Sequence, residues 1–487
     1  MSNTNITNHA SFTRSNLITL FGERACAHLP ESLVTTGVST DTRSITAGNI
    51  FVALRGERFD AHTLVKEAFA KGASVAIVDD RIKTGISDPQ VPLVLVTDTL
   101  RALGALAHLH RKRFSLPVIA VAGSAGKTTT KEMTARLLSE HFSVLKTEGN
   151  FNNQVGVPLT LLRLSERDTA AVIEIGTNEP GEIEILSAMV APTHGIITNI
   201  GKEHLEKLID EDGVEREETA LFRYLAEHGG VAFVNMNDHR LRKYRRSGWL
   251  HYGIQEQNLV ADISATFTLQ PSTHAVLRMT EKNSTPANAE PLEVRLQTVG
   301  STGARNALAA AAVGFGLGLS PEQIRKGLEG FRPATSEAGY GRMVAETLTL
   351  NGNRTITLLN DCYNANPTSM YAALETLQST QHSRRIALLG DMRELGASSA
   401  QEHDLLLGVL RQALWLDLVV LTGTEMLQAH TRFVGEHSTS SKILYAPGTQ
   451  EAAEMLASRL QSGDVLLVKG SRGVRLEEAV ARLSGHT

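Results

Sequence analysis

Apolar positions along this chain recur in two rhythms. Short unbroken runs rich in Val, Ile and Ala suit strands buried on both faces. Longer stretches, where apolar residues return every three or four positions, suit helices laid against them. The clearest strand is Val-Ile-Ala-Val-Ala at 118–122, followed by a helical period that continues through Leu138. Strands are then predicted at 170–175, 195–200 and 231–235, alternating with helices as in a doubly wound parallel sheet. Two alternating runs, around 276–279 and 292–296, flank a polar stretch at 281–291 and predict a hairpin. Helices at 304–317 and 321–330 close the unit.

Upstream, short β-rich runs at 49–54, 74–78 and 91–96 alternate with helices at 63–71 and 100–113. Downstream, residues 332–341 have the Pro, Ser and Gly of a linker. Strands at 355–359, 385–389, 417–421 and 465–468 then alternate with helices at 369–378, 401–412, 426–433 and 451–461, predicting a second open α/β sheet. A chain of 487 residues is too long for one core, and three domains agree with that length. The boundaries are read at 1–115, 116–333 and 334–487.

Composition narrows the function. Apolar residues make up 42% and charged residues 21%, ordinary for a globular enzyme. A formal charge of −4 argues against nucleic acid as a partner, because no basic excess exists to meet a phosphate backbone. Only Cys26 and Cys362 are present, too few for a disulfide framework, which fits the cytoplasm. No apolar run is long enough for membrane insertion.

Candidate chemistry centres on Gly123-Ser-Ala-Gly-Lys-Thr-Thr129, between the strand and the helix. Gly123 and Gly126 allow a tight turn whose backbone N–H groups, through Ser124, Ala125 and Thr129, would face an anion. Lys127 would add a point charge toward the β/γ-phosphates, and Thr128 a hydroxyl for Mg²⁺. Position 121 is Val, so the string is the shorter G-x-x-G-K-T. ATP or GTP binding is the better reading, an ordinary strand-to-helix turn the bland one.

Ligands of open parallel sheets gather beyond the carboxyl ends of strands. Glu174, His204 and Asp361 fall there, and beside a phosphate loop Glu174 and His204 become candidate metal ligands. The Asn/Gly-rich stretch at 150–158, with Asn152 and Asn153, reads equally well as a turn. The same holds for the stretch from Asn364 to Pro367. Lys469-Gly-Ser-Arg472, directly after a strand, suits a carboxylate or phosphate.

Together these segments resemble the Mur ligases of peptidoglycan synthesis. The resemblance is carried by Thr40-Asp-Thr-Arg43, Gly48-Asn-Ile-Phe51, Phe59-Asp-Ala-His62, the phosphate loop and the 150–158 stretch. Glu174-Ile-Gly176, Pro180-Gly-Glu-Ile183, Asn199-Ile200 and His204-Leu-Glu206 continue it. Gly341-Arg342, Asp361-Cys-Tyr-Asn-Ala-Asn-Pro367, Leu389-Gly-Asp-Met-Arg-Glu-Leu-Gly396 and Lys469-Gly-Ser-Arg472 complete it. The segments at 363–367 and 389–396 point to the dipeptide-adding member of the family.

The resemblance implies a small N-terminal α/β domain for a UDP-sugar, a central P-loop ATPase-type parallel sheet and a C-terminal Rossmann-like domain. It implies an ATP-dependent amide ligase that works as a monomer on small molecules: UDP-N-acetylmuramoyl-tripeptide and D-alanyl-D-alanine. An acyl phosphate would be the intermediate, with ATP and two Mg²⁺ ions as cofactors. Lys127, Glu174 and His204 would be catalytic. Gly123–Thr129, Asn306, Arg342 and Asp361 would hold ATP, and Thr128, Glu174 and His204 the metals. Asp41, Arg43, Asn152 and Asn153 fall on the UDP-sugar-peptide side, and Asn364, Lys469 and Arg472 on the dipeptide side.

Two features depart from the family pattern. Where the family carries a lysine carbamylated by CO₂, fourteen residues after the histidine, this chain has Glu218, with Glu217 adjacent. A carboxylate carries the same charge as a carbamate, so Glu218 is the fourth expected metal-holding residue, the alternative being a solvated helix face. Ahead of Asn306 the family's His-Asn pair reads Thr302-Gly303. The rival readings are another Mur or folylpolyglutamate-type ligase, and a phosphotransferase or NTPase using the same loop.

Overall fold

Alternate residues of the strand Val118–Ala122 point into two different cores, and the central domain is organised around that division. Ile119 and Val121 enter one apolar cluster with Met133, Leu137, Leu308 and Val313. Val118, Ala120 and Ala122 enter another with Leu186, Leu221 and Leu225. A strand covered by helices on both faces has no reason to carry a polar residue, and all five positions are buried. The helices Lys127–Leu138 and Gly300–Gly316 cover one face, and Glu182–Val190 and Ala220–His228 the other.

The structure is a computed structural model. It describes residues 7–56, 59–81, 91–255, 259–269, 274–281, 290–333, 335–336, 339–350, 354–381, 384–436 and 442–485. The central sheet has nine strands in the order Leu292–Val299, His274–Glu281, Ile263–Leu269, Leu250–Ile254, Val231–Asn235, His194–Ile197, Val118–Ala122, Ala170–Glu174, Val144–Lys146. Pairing is parallel from 144–146 as far as 263–269 and antiparallel for the last two strands. The expected hairpin is present, with Leu277 opposite Val294; the tip at 282–289 lies outside the described residues. The sheet is therefore parallel in its core and antiparallel at one edge. After Val118–Ala122 the chain forms the edge strand Val144–Lys146, fills in with Ala170–Glu174, and then crosses to build on the other side, so the phosphate loop sits at a topological switch point.

The N-terminal sheet is a parallel set of four strands, Val38–Ser39, Ile50–Val52, Val75–Asp79 and Leu93–Val96. The C-terminal sheet has six, in the order Val344–Leu350, Arg354–Asp361, Val465–Lys469, Arg385–Gly390, Leu418–Thr422, Ile443–Ala446, with only the first pair antiparallel. The expected α/β class with three sheets is what the chain adopts. Sequence periodicity missed Ile263–Leu269, Val344–Leu350 and Ile443–Ala446, and the final helix Leu476–Leu483. The first two of those strands alternate apolar with polar residues and are only half buried, and the third is four residues at a sheet edge. Part of the expected 332–341 linker, residues 334, 337 and 338, lies outside the described residues.

One apolar cluster joins all three sheets. Phe12, Ile50 and Leu103 from the N-terminal region, Ile173 and Ile197 from the centre, and Met370, Leu389 and Leu467 from the C-terminal region belong to it.

Candidate active site

The phosphate loop closes where only glycine fits. Gly123 and Gly126 have φ of 113° and 81°, in the left-handed region. A Cβ on Gly123 would lie 2.3 Å from Thr198 Oγ1, and one on Gly126 2.6 Å from Asn306 Oδ1. Asn306 is thereby placed against the loop, on the helix that packs over it. The loop is also tied from below. Ser124 N–H donates to Asn199 O at 2.9 Å, Ala125 N–H to Asn199 Oδ1 at 3.1 Å, and Gly123 N–H to Glu218 Oε2 at 2.7 Å. Those three N–H groups are engaged by protein acceptors. The helix Lys127–Leu138 starts with no side-chain cap, so its first N–H groups and its positive end are what the loop offers an anion.

Around that helix start, acidic side chains converge. Glu174 ends its strand, buried, and its Oε1 accepts from Thr128 Oγ1 at 3.1 Å and from Asn152 Nδ2 at 2.9 Å. Its Oε2 lies 3.4 Å from the wholly buried Lys131 Nζ, with no hydrogen-bond partner. Lys127 Nζ donates to Gly123 O and, at 3.2 Å, to Glu203 Oε2. Burial alone would pull the Lys127 ammonium down, but the charges of Glu203, Glu218 and Glu174 carry it above its ordinary range. Glu218 is fully buried. Burial first, and then the neighbouring Glu203, pushes its carboxyl well above the usual carboxylate range, against the pull of Lys127.

Glu218 Oε1 and Glu203 Oε1 both lack hydrogen-bond partners, although each is buried. Glu217 turns elsewhere: its two oxygens accept from Gly181 N and Ile183 N, both at 2.7 Å, tying down the start of another helix. The neighbouring carboxylates thus divide, Glu217 to structure and Glu218 to the loop.

His204 lies beside Glu203, with Nε2 3.8 Å from Glu203 Oε2 and Nδ1 2.7 Å from Glu394 Oε2 of the C-terminal domain. The hydrogen bond from His204 holds the Glu394 carboxyl below its usual range. Lys127, Thr128, Glu174, His204 and Glu218 therefore share one chain of contacts. Sequence reasoning did not select Glu203, Lys131 or Glu394. Lys131 is four positions after Lys127, on the same helix face, and Glu203 adjoins His204.

A second group forms at the carboxyl ends of the C-terminal strands. Asp361 and Lys469 are register partners on adjacent strands, and Lys469 Nζ donates to Asp361 Oδ2 at 2.6 Å and to Asn364 O at 3.0 Å. The Arg342 guanidinium sits 3.6 Å from the centre of the Tyr363 ring; that of Arg472 lies 4.8 Å from Tyr340 and 5.6 Å from Tyr363. The stretches read as turns have structural work to do. Asn153 Oδ1 accepts from Val155 N and Gly156 N, and Asn366 caps the helix Pro367–Ser379 in a capping box with Ser369. Asn152 reaches Glu174 rather than the N-terminal domain. Asp41 and Arg43 pair with each other at 2.5 Å on an exposed turn of that domain.

The donor set suits a divalent cation. Thr128 Oγ1 and Glu174, with one carboxylate oxygen lacking a hydrogen-bond partner, offer the hard oxygen atoms that Mg²⁺ takes. Glu203, beside His204, and Glu218, beside Glu203, offer two more unpartnered oxygens. The residues fit.

Comparison with known proteins finds relatives along nearly the whole chain. Three family models match in order: the Mur ligase family, catalytic domain, over residues 34–111; the Mur ligase middle domain over 121–314; and the Mur ligase, glutamate ligase domain over 341–472. The chain is 35% identical to the UDP-N-acetylmuramoyl-tripeptide–D-alanyl-D-alanine ligase of Escherichia coli, covering 92% of this chain and 93% of the relative. It is 32% identical to the Bacillus subtilis protein of the same name, over 93% and 94%. Among solved structures it is similar to MurF of Acinetobacter baumannii, with a TM-score of 0.82 and 33% identity, over 98% of this chain and 99% of that one. It also resembles MurF of Thermotoga maritima in complex with ADP, with a TM-score of 0.78 and 26% identity, over 92% and 97%.

Proposed function

The chain belongs to the Mur ligase family, and from that premise we propose which of its residues carry the joining of D-alanyl-D-alanine to UDP-N-acetylmuramoyl-tripeptide at the expense of ATP. One observation supports the assignment above the others. Lys127 and an uncapped helix start stand within one set of contacts with Glu174, Glu203, Glu218 and His204.

A carboxylate is a poor electrophile, so the tripeptide's terminal carboxylate must first be activated. Its oxygen attacks the γ-phosphorus of ATP, the bond to ADP breaks, and an acyl phosphate forms. The amine of D-alanyl-D-alanine then attacks the carbonyl carbon. The tetrahedral intermediate expels phosphate, the nitrogen loses a proton, and the amide remains. The first step brings two anions together, so catalysis there is mostly alignment and charge neutralisation.

Lys127 neutralises the γ-phosphate, and the first turn of its helix orients the phosphate chain. Thr128 and Glu174 would hold one Mg²⁺, and His204 with Glu218 a second; bound there, the ions supply positive charge between nucleotide and carboxylate. Asn306 lies on the nucleotide side of the loop. Arg342 and Asp361 approach the nucleotide from the C-terminal domain, with Asn364, Lys469 and Arg472 on the dipeptide side and Asp41, Arg43, Asn152 and Asn153 toward the UDP-sugar-peptide. Domain boundaries at 115/116 and 333/334, a monomer and the cytoplasm complete the reading. No helix of the described residues is long and apolar enough to cross a membrane.

The test is ADP release from ATP with UDP-N-acetylmuramoyl-tripeptide, with D-alanyl-D-alanine added or withheld. Sustained release requires all three substrates. Equal release without the dipeptide would instead make the chain an NTPase or phosphotransferase.

A further inference from the structure

The segment Gly390-Asp-Met-Arg-Glu-Leu-Gly396 has no part in the reaction as described so far. Its Asp391 is structural: buried, it accepts from Thr424 N at 3.0 Å and Met426 N at 2.9 Å, fixing the start of the helix Thr424–Glu436. Glu394 behaves differently. It reaches across the domain boundary to His204 Nδ1 at 2.7 Å, while its own carbonyl accepts from Glu206 N at 3.2 Å. Close by, Lys202 N–H donates to Thr368 Oγ1 at 3.1 Å and Lys202 Nζ to Glu402 Oε1 at 2.6 Å. A Cβ on Gly396 would lie 2.8 Å from Glu206 Cα, so the two backbones touch. The 201–206 loop is gripped by the C-terminal domain.

Both ends of the Glu394–His204 contact are strained. His204 has φ of 48° and Glu394 of 64°, in the left-handed region that non-glycine residues enter at a cost of about 1–3 kcal/mol each. The Glu394 side chain is 55% exposed, and a pair so open to water is worth about 0–1 kcal/mol. Stability alone does not account for holding both residues this way. The chemical effect on the ring does. A carboxylate only accepts, so the hydrogen bond places a proton on Nδ1 and turns Nε2 toward Glu203 and the phosphate loop.

We propose that Glu394 is a positioning residue of the ligase reaction, supplied by the C-terminal domain, which fixes the tautomer and aim of His204 when the domains dock. The inference rests on His204 acting in the site as assigned above. A ligating histidine held through its other nitrogen by a carboxylate is a general way to orient such a ring. Here the carboxylate belongs to another domain, so the ring is set only in the docked arrangement.

The experiment uses the full chain labelled with ¹⁵N-histidine, with His204→Asn identifying the His204 signals. In the unaltered protein His204 shows an Nδ1-protonated ring. Glu394→Ala shifts it toward a mixture of tautomers and lowers kcat about 10–100-fold, with KM for ATP within about threefold. Glu394→Gln restores most of the rate, because its amide oxygen also accepts from Nδ1–H. An unchanged ring signal or an unchanged kcat in Glu394→Ala overturns the proposal. Full turnover in His204→Asn overturns the reading beneath it as well, whereas an inactive His204→Asn with a fully active Glu394→Ala removes Glu394 alone.

Discussion

Lys127 and Lys469 are both buried or nearly so, both lie just beyond or at a strand's carboxyl end, and both touch carboxylates, yet their surroundings differ in kind. Lys469 is closed: Asp361 and the Asn364 carbonyl satisfy it within its own domain, from adjacent strands in register. Lys127 is left open. The carboxylates around it, Glu174, Glu203 and Glu218, each keep a buried oxygen with no hydrogen-bond partner. Buried polar atoms left without partners cost free energy, and three of them gathered around one lysine mark a place where a ligand, ion or water would be welcomed. A lysine's burial and its acidic neighbour therefore say less about chemistry than what remains unsatisfied around it.

The sharpest way to break this contrast is Lys127→Ala. Loss of a charge that stabilises the transferring phosphoryl group should lower ADP release on the order of a thousandfold; near-normal turnover would put both lysines in the same class. Lys469→Met should act on stability instead. Removing one partner of a buried ion pair costs about 3–5 kcal/mol, read as a lower urea midpoint, and an unaltered midpoint would deny its scaffold role. Glu218→Ala should lower turnover about 10–100-fold. The unaltered enzyme should keep its rate when CO₂ is stripped from the buffer, and Glu218→Lys should regain activity with bicarbonate. A CO₂ requirement in the unaltered protein would place the modified group elsewhere. The smallest effect is expected of Arg472→Ala, about 1 kcal/mol from the lost stacking on Tyr340 and Tyr363, again measured by urea unfolding.

Sequence reached the buried strands most easily, because a strand such as Val118–Ala122, covered on both sides, must be apolar throughout. It failed at sheet edges, where Val344–Leu350 needs only one dry face. The phosphate loop was equally legible, since Gly123 and Gly126 occupy conformations and spaces that exclude a side chain. Asn153 and Asn366 show the opposite limit. Both stretches were open to the plain reading of a turn; Asn153 makes one, and Asn366 turns out to cap a helix. Lys469 was read as facing a ligand; sequence could not also reveal that Asp361, 108 residues away, comes into register with it. The role of Glu394 was hidden for the same reason at greater scale: its partner His204 precedes the short helix Leu205–Leu208 of a different domain.

The apolar cluster running from Phe12 through Ile173 to Leu467 has a thermodynamic consequence. Chains built from several sheets often melt in steps, one unit at a time. Here the oily seams between the units are continuous, so water entering one seam weakens its neighbours. Calorimetry should therefore record a single endotherm, with loss of the outermost unit dragging the remaining two along.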